Sequence, residues 1–352
     1  LKILYGVQGT GNGHIARARA MADAFRKRNI EVDFLFSGRP TDKYFSMDSF
    51  GDYRALRGLT FSSQQGRVSY LKTALNNSLG QVLREVRELD VSGYDVVLND
   101  FEPISAWAAK REKVPCIGIS HQNAFRFSVP QKGASWIDQL VMTRFAPADV
   151  LIGLHWYHYQ QPILPPIVHT RPNSNGSETD FECPFYLVYL PFEELDDVIQ
   201  LLGRFTSHRF QCFHPAVTNT RQWGNITARP LSFEKFQQAL HQCEGVIANG
   251  GFELPSEALS LGKKLLLKPL EGQFEQQSNV ATLEQLGLAN AMELLDPTAV
   301  RYWLDEKEPE VVNYPNVAEA LVDWIIAGKW ECTDNLRKDL WNKVDFPSYI
   351  TI

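Results

Sequence analysis

The sequence predicts an α/β protein of the doubly wound kind, and three observations carry that prediction. Short apolar runs of strand length alternate with longer segments of helical period along most of the chain, the pattern of βα units on a parallel sheet. Two of these units, over residues 2–28 and 245–262, join strand to helix through a glycine-rich turn. The length of 352 residues favours two domains.

In the first domain, expected over residues 1–154, residues 2–7 read as a buried strand. Residues 8–13 form a glycine loop, and 15–28 a helix with Ala16, Ala20, Ala24 and Phe25 along its inner face. Residues 30–36 read as a second, parallel strand. The loop Gly9-Thr10-Gly11-Asn12-Gly13-His14 places glycines at alternate positions and not as GxGxxG, and the second strand ends in Ser37-Gly38-Arg39 without a carboxylate for a ribose. A dinucleotide reading therefore survives only through Arg39, toward a phosphorylated ribose. Periodicity assigns nothing to residues 40–66. Residues 68–86 read as a helix, and 94–98 as a buried strand ending in Asn99-Asp100-Phe101-Glu102-Pro103. Carboxylates at the C-terminal end of such a strand stand where α/β sites form, so Asp100 and Glu102 are candidates; Asp is equally a common cap for the helix that follows at 104–111. A strand at 114–119 delivers Ser120-His121-Gln122-Asn123 to the same edge, and one at 150–154 closes the domain.

Residues 155–184 have the composition of a linker, with the cluster His155-Trp156-Tyr157-His158-Tyr159 followed by proline, asparagine and serine. The aromatic cluster is expected to pack between domains. The second domain, over 185–314, restarts with a strand at 185–190, a helix at 193–202, a strand at 210–213 and a helix at 232–241 whose Phe233, Phe236 and Leu240 share one face. A strand at 245–248 then runs into Gly250-Gly251, which permit a sharp turn and a close approach to a ligand. A helix follows from about Glu253: Pro255 is tolerated in its first turn, Leu254, Ala258 and Leu261 share a face, and Gly262 ends it. Its free N–H groups beside Gly250, Gly251, Phe252 and Glu253 make a seat for phosphate, and Glu257, one turn further, can accept hydrogen bonds from two neighbouring ribose hydroxyls. A strand at 265–267 leads to a polar loop at 271–279, where Glu275 and Gln276 can read sugar hydroxyls. The plainer alternative is that strand-Gly-Gly-helix units occur in many proteins without a nucleotide, with Glu257 as a solvated helix residue. Residues 315–327 and 334–341 read as helices of a terminal segment, 315–352, with tryptophans for packing.

Composition excludes several classes. A formal charge of -6 argues against a general nucleic-acid binder. The five cysteines, Cys116, Cys183, Cys212, Cys243 and Cys332, are scattered and never spaced like a zinc site, as expected of packing thiols in a reducing, cytoplasmic compartment. No apolar run approaches the roughly 18 residues that span a bilayer, and no leader is visible before the first strand.

Taken together the pattern resembles the GT-B glycosyltransferases. Gly250-Gly251, then Glu257-Ala258-Leu259, an apolar strand, and an acid-Gln-x-x-Asn stretch at Glu275-Gln276-Gln277-Ser278-Asn279 are similar to their nucleotide-sugar donor site. Gly11-Asn12-Gly13-His14 is similar to the acceptor-facing loop of the peptidoglycan N-acetylglucosaminyltransferase and the glucuronosyltransferases, whose histidine can serve as a catalytic base. Ser120-His121-Gln122-Asn123 resembles the His-Glu-Gln-Asn stretch of the peptidoglycan enzyme with the Glu missing. The resemblance implies two Rossmann-like domains facing each other across a cleft, with the last helix crossing back onto the first. It implies inverting, metal-independent transfer from a nucleotide sugar, uridine favoured, with no further cofactor. His14 is the expected base, Asp100 next in line, with Glu102, His121, Gln122 and Asn123 on the acceptor side. The acceptor class stays open among glycan, lipid-linked and small molecules, with a peripheral contact at the inner membrane face as one option. The chain departs from the pattern at Leu254, which replaces a hydroxyl, at Lys264, which replaces a proline, and at Leu190-Pro191-Phe192, which replaces a Gly-Ser pair; Arg204, Arg221 and Lys268 are candidates to compensate. Two other readings stand beside it: a sugar-nucleotide epimerase using Asp100, Glu102, Glu271 and Glu275, and a non-catalytic binding protein of the same fold, consistent with the three departures; for His14 itself the plainer alternative is a cap on the helix start.

Overall fold

The computed structural model describes residues 1–44, 46–59, 63–64, 67–68, 79–168, 181 and 184–350. In chain order the first half comprises β1 (Ile3–Gln8), α1 (Asn12–Lys27), β2 (Val32–Ser37), β3 (Arg54–Ala55), β4 (Ser63–Gln64), β5 (Arg67–Val68), α2 (Leu79–Glu88), β6 (Val96–Asp100), α3 (Pro103–Glu112), β7 (Cys116–Ser120), the single turn α4 (His121–Ala124), α5 (Trp136–Arg144), β8 (Val150–Leu154) and β9 (Ile163–Leu164). The second half comprises β10 (Tyr186–Tyr189), α6 (Leu195–Leu202), β11 (Phe210–Phe213), β12 (Arg221–Trp223), β13 (Ile226–Arg229), α7 (Phe233–Gln242), β14 (Gly245–Asn249), α8 (Glu253–Ser260), β15 (Lys264–Lys268), α9 (Phe274–Gln285), β16 (Asn290–Ala291), α10 (Pro297–Asp305), α11 (Val317–Ile326) and α12 (Asp334–Trp341).

Each half builds one seven-stranded sheet, ordered β3-β2-β1-β6-β7-β8-β9 and β12-β13-β11-β10-β14-β15-β16. All pairings in them are parallel except β12 with β13. Central strands such as β1 and β14 are buried along their whole length because helices cover both faces, which is why they read as continuous apolar runs without alternation. In both sheets the strand order reverses direction at one place, between β1 and β6 and between β10 and β14. Chain leaving neighbouring strands there turns to opposite faces and opens a crevice at the C-terminal edge.

Three expectations need correction. The stretch 155–184 is not only a linker, since β9 within it pairs with β8 and closes the first sheet. The helix expected over 68–86 begins, within the described residues, at Leu79, and Val68 lies on β5; residues 69–78 lie outside the described residues. The polar stretch 271–279 is not a loop throughout: α9 starts at Phe274 and buries Gln276, Ser278, Asn279 and Thr282 beside Val280 and Leu283. A helix that buries amides and hydroxyls at a domain boundary has no apolar stripe to read.

The terminal segment returns to the first half. Leu321, Val322 and Ile325 of α11 share one apolar cluster with Ala18, Met21 and Phe25 of α1. Exposed ion pairs, Lys27 with Glu319 at 2.6 Å and Arg28 with Asp323 at 2.6 Å, border that contact and add little to it. Trp341 Nε1 donates to the Ile163 carbonyl of β9 at 2.8 Å. Among the described residues the free cysteines Cys116, Cys212 and Cys243 are buried, and Cys332 is exposed. No described helix is long and apolar enough to cross a membrane.

Candidate active site

The first crevice carries ionisable groups. His14 sits in the first turn of α1, and Asp100 ends β6, the neighbour of β1. Their side chains meet, Nδ1 to Oδ1, at 2.8 Å. Phe101, just after Asp100, takes a left-handed conformation with φ of 54°, which costs a non-glycine residue about 1–3 kcal/mol. That turn sends Asp100 toward the crevice and Glu102 back into the domain. Arg17, three residues after His14 and on the same helix face, places Nε 3.0 Å from Asp100 Oδ2 while only 1% exposed. Burial pulls the His14 pKa down, but the charge and hydrogen bond of Asp100 outweigh it, so the imidazole is more basic than usual. Since the carboxylate can only accept, the shared proton belongs on Nδ1, and Nε2 is left as the base.

The second crevice is shaped for binding. After β14, Gly250 lets α9 approach: a Cβ there would meet Val280 at 2.7 Å and the Gln276 carbonyl at 2.8 Å. At Gly251 a Cβ would meet nothing within 4 Å. Beyond the turn, α8 presents its first residues to the other half. A pocket of about 140 Å³ lies beside it, walled by Tyr189 at the end of β10 and by Phe233 and Phe236 of α7, with Glu257 of α8 and Gln237 at its polar side and Asn12 entering from the first half. Gln237 Nε2 donates to Glu257 Oε2 at 3.1 Å. Burial pushes the Glu257 carboxyl up to about 7 despite that bond. Flat aromatic walls beside Glu257, with Glu253 and Arg19 also on the lining, suit a planar base joined to a diol.

The two crevices face each other. Arg17 Nη2 reaches Glu253 Oε1, at the start of α8, at 2.8 Å. A Cβ on Gly13 would lie 2.5 Å from Glu253 Oε2, so a larger residue there would push the Glu253 carboxylate aside. Residues 1–306 match the family model described as glycosyl transferase family 1. The chain belongs to that family. It is 23% identical, over 347 and 348 residues, to two uncharacterized glycosyltransferases of Methanosarcina mazei, covering 85% of this chain and 88% of each relative. Its fold is similar to that of the glycotransferase of kitacinnamycin (TM-score 0.60, 14% identity, 98% of this chain and 99% of that one). MurG of Acinetobacter baumannii (0.53, 16%, 93% and 99%) and TcCGT1 in complex with UDP (0.60, 11%, 98% and 95%) are similar too. These likenesses show the GT-B fold.

Several of the expected site residues do other work in this glycosyltransferase. Glu102 is fully buried and accepts from the Ile104 and Ser105 N–H groups and from the Ser37 and Ser105 hydroxyls, so it caps α3 and does not face an acceptor. Asn123 is buried against β8, its Nδ2 3.5 Å from the Ile152 carbonyl, and does not line the cleft. His121 joins the halves: its ring stacks on Phe252 at 4.0 Å, Nδ1 meets the Leu154 carbonyl at 2.8 Å and Nε2 meets Asn279 Oδ1 at 2.6 Å. Burial lowers its pKa to about 4. Phe252 is thereby turned into the interface, where Trp156 also packs on it and donates to Ser256 Oγ at 2.9 Å. Gln122 Nε2 donates to the Glu275 carboxylate across the cleft at 3.1 Å. Gln276 spends its carbonyl oxygen on the Leu270 N–H at 3.0 Å and shapes the turn before α9.

The departures have structural readings. Lys264 donates to the carbonyls of Trp303, Leu304 and Glu306 and closes the C-terminal end of α10, a task a proline cannot perform. Leu190 packs into the core of the second half, and Leu254 lines the pocket. Arg204 follows the C-terminal end of α6 and Arg221 is exposed on β12, whereas Lys268, at the end of β15, pairs with Glu193 at 2.7 Å, directly after Leu190-Pro191-Phe192, and is the one of the three that lies beside that departure. Arg17, Gln237 and Tyr189 went unrecognised in the sequence. Only Arg17 left a signal there, as a cation one helical turn from the candidate base.

Proposed function

We propose that this chain transfers a sugar from a nucleoside diphosphate to an acceptor hydroxyl, with inversion and without a metal ion. The observation that carries the reading is the His14–Asp100 pair at 2.8 Å, set at the start of α1 and facing the first turn of α8. His14 Nε2 takes the acceptor's proton as its oxygen attacks the anomeric carbon; the bond to the diphosphate breaks on the opposite face, which inverts the centre. Asp100 holds the tautomer and balances the imidazolium. Free N–H groups and the dipole of α8 receive the charge that develops on the leaving diphosphate, and this is why no metal is required. The base lies between Tyr189, Phe233 and Phe236, the ribose diol on Glu257, and Glu275 reads the sugar. Uridine is the first choice of base, supported by the neighbour TcCGT1, which is solved with UDP.

The test is an incubation with UDP-glucose, UDP-N-acetylglucosamine and the dTDP and GDP sugars against a panel of hydroxyl acceptors, with product configuration read by NMR. The expected product carries the inverted anomeric centre. Retention of configuration, or conversion of the nucleotide sugar with no acceptor present, contradicts the proposal.

A further inference from the structure

Glu253 stands where the proposed mechanism needs an anion. Its carboxylate lies between the starts of two helices, beside Gly13 in the first turn of α1 and on the first residue of α8. Both ends carry positive dipole charge, and Arg17 Nη2 closes the third side at 2.8 Å. Arg17 is buried to 1% exposure, and its Nη1 has no hydrogen-bond partner among the described residues. A buried guanidinium with donor capacity left over after Asp100 and Glu253 marks a site that can take up a further anionic oxygen.

We propose that Glu253 is an internal stand-in for the outer phosphate of the donor, and that a nucleoside diphosphate exchanges with it, taking over Arg17 and displacing the carboxylate. This rests on the reading that the diphosphate sits at the start of α8. Charge is the reason for exchange and not addition. Asp100 and Glu253 already contact His14 and Arg17 directly, and Glu275 adds a third carboxylate near them. A diphosphate entering beside an undisplaced Glu253 would raise that negative charge in a poorly hydrated cleft. Arg17 keeps Nε on Asp100 throughout, so the same guanidinium that steadies the catalytic pair passes from Glu253 to the leaving group. It thereby joins occupancy of the donor seat to the arrangement of the base.

The inference reverses the simple expectation that Glu253, as part of the donor seat, helps binding. Calorimetric titrations of the full chain with UDP and with uridine separate the two. Glu253→Gln keeps the shape and removes the competing charge, and should tighten UDP roughly five- to tenfold while leaving uridine unchanged. Arg17→Lys, which retains charge but loses the fork, should weaken UDP and not uridine. Weaker or equal UDP affinity in Glu253→Gln overturns the exchange, and that variant decides the matter even if Arg17→Lys folds poorly. Failure of the underlying reading looks different: the unaltered chain would bind neither uridine nor UDP, and the exchange would fall with it.

Discussion

The two crevices arise from the same strand order yet hold opposite kinds of surface. At the end of β1 and β6 the side chains are ionisable, and Asp100 pairs with both His14 and Arg17. At the end of β10 and β14 aromatic and apolar walls predominate, with Glu257 and Glu253 as the carboxylates of the pocket and Arg19 of α1 beside them. On the proposed reading one fold divides the work, proton transfer at His14 in the first half and base and ribose binding at the pocket of the second, with Arg17 reaching from the first half into the phosphate seat between them.

The sharpest way to break this comparison is His14→Ala. Loss of a general base should lower kcat by roughly 10²–10⁴-fold, with UDP affinity unchanged, as measured by steady-state kinetics beside calorimetry. A fall in affinity of similar size would mean that the two halves do not divide the work.

Glu257→Gln tests the other side. It removes charge-assisted bonds to the ribose and should weaken UDP by about 1.5–3 kcal/mol, with little change in kcat at saturation. The same carboxyl gives a pH signature. With its pKa near 7, it must ionise to accept both hydroxyls, so UDP affinity should rise from pH 6 to 8 and level off above. In Glu257→Gln the rise should shrink to the part that ionisation of the terminal phosphate of UDP supplies.

A smaller effect sharpens the first half. Protonated His14 cannot accept a proton, so kcat/KM should rise with pH through an inflection above the ordinary histidine value, because Asp100 raises that pKa. Asp100→Asn removes the charge and should move the inflection to lower pH; an unmoved limb would assign it to another group. The smallest expected effect on catalysis concerns the junction: Asn279→Ala deletes one of the two partners of His121 and the donor to the Gly250 carbonyl, and should cost about 1–3 kcal/mol in thermal unfolding without altering the pH limb.

How legible was this in the chain? Both sheets were, since parallel strands covered on two faces leave apolar runs, and glycine turns mark where helices begin. His14 was visible at the start of a helix after a glycine loop and Asp100 at a strand's end, but their pairing spans 86 residues and depends on strand order. Whether Asp100 or Glu102 faces the crevice was not legible, because the left-handed turn at Phe101 decides it and no local propensity favours phenylalanine there. Phe233 and Phe236 share a helix face that reads as core, whereas they line the pocket wall. Polar residues of α9 and the Arg17–Glu253 contact are set by the opposing domain, and local pattern carries no record of it.

The most direct measurement is a thermal-shift titration of the unaltered chain and Glu257→Gln with UDP, dTDP, GDP and CMP. A ligand that binds only the folded state raises the melting temperature. The account predicts that a pyrimidine nucleoside diphosphate, UDP foremost, raises it in a concentration-dependent way, and that Glu257→Gln needs more ligand for the same shift. No shift with any of the four, or a shift indifferent to Glu257, would contradict the assignment of the donor seat.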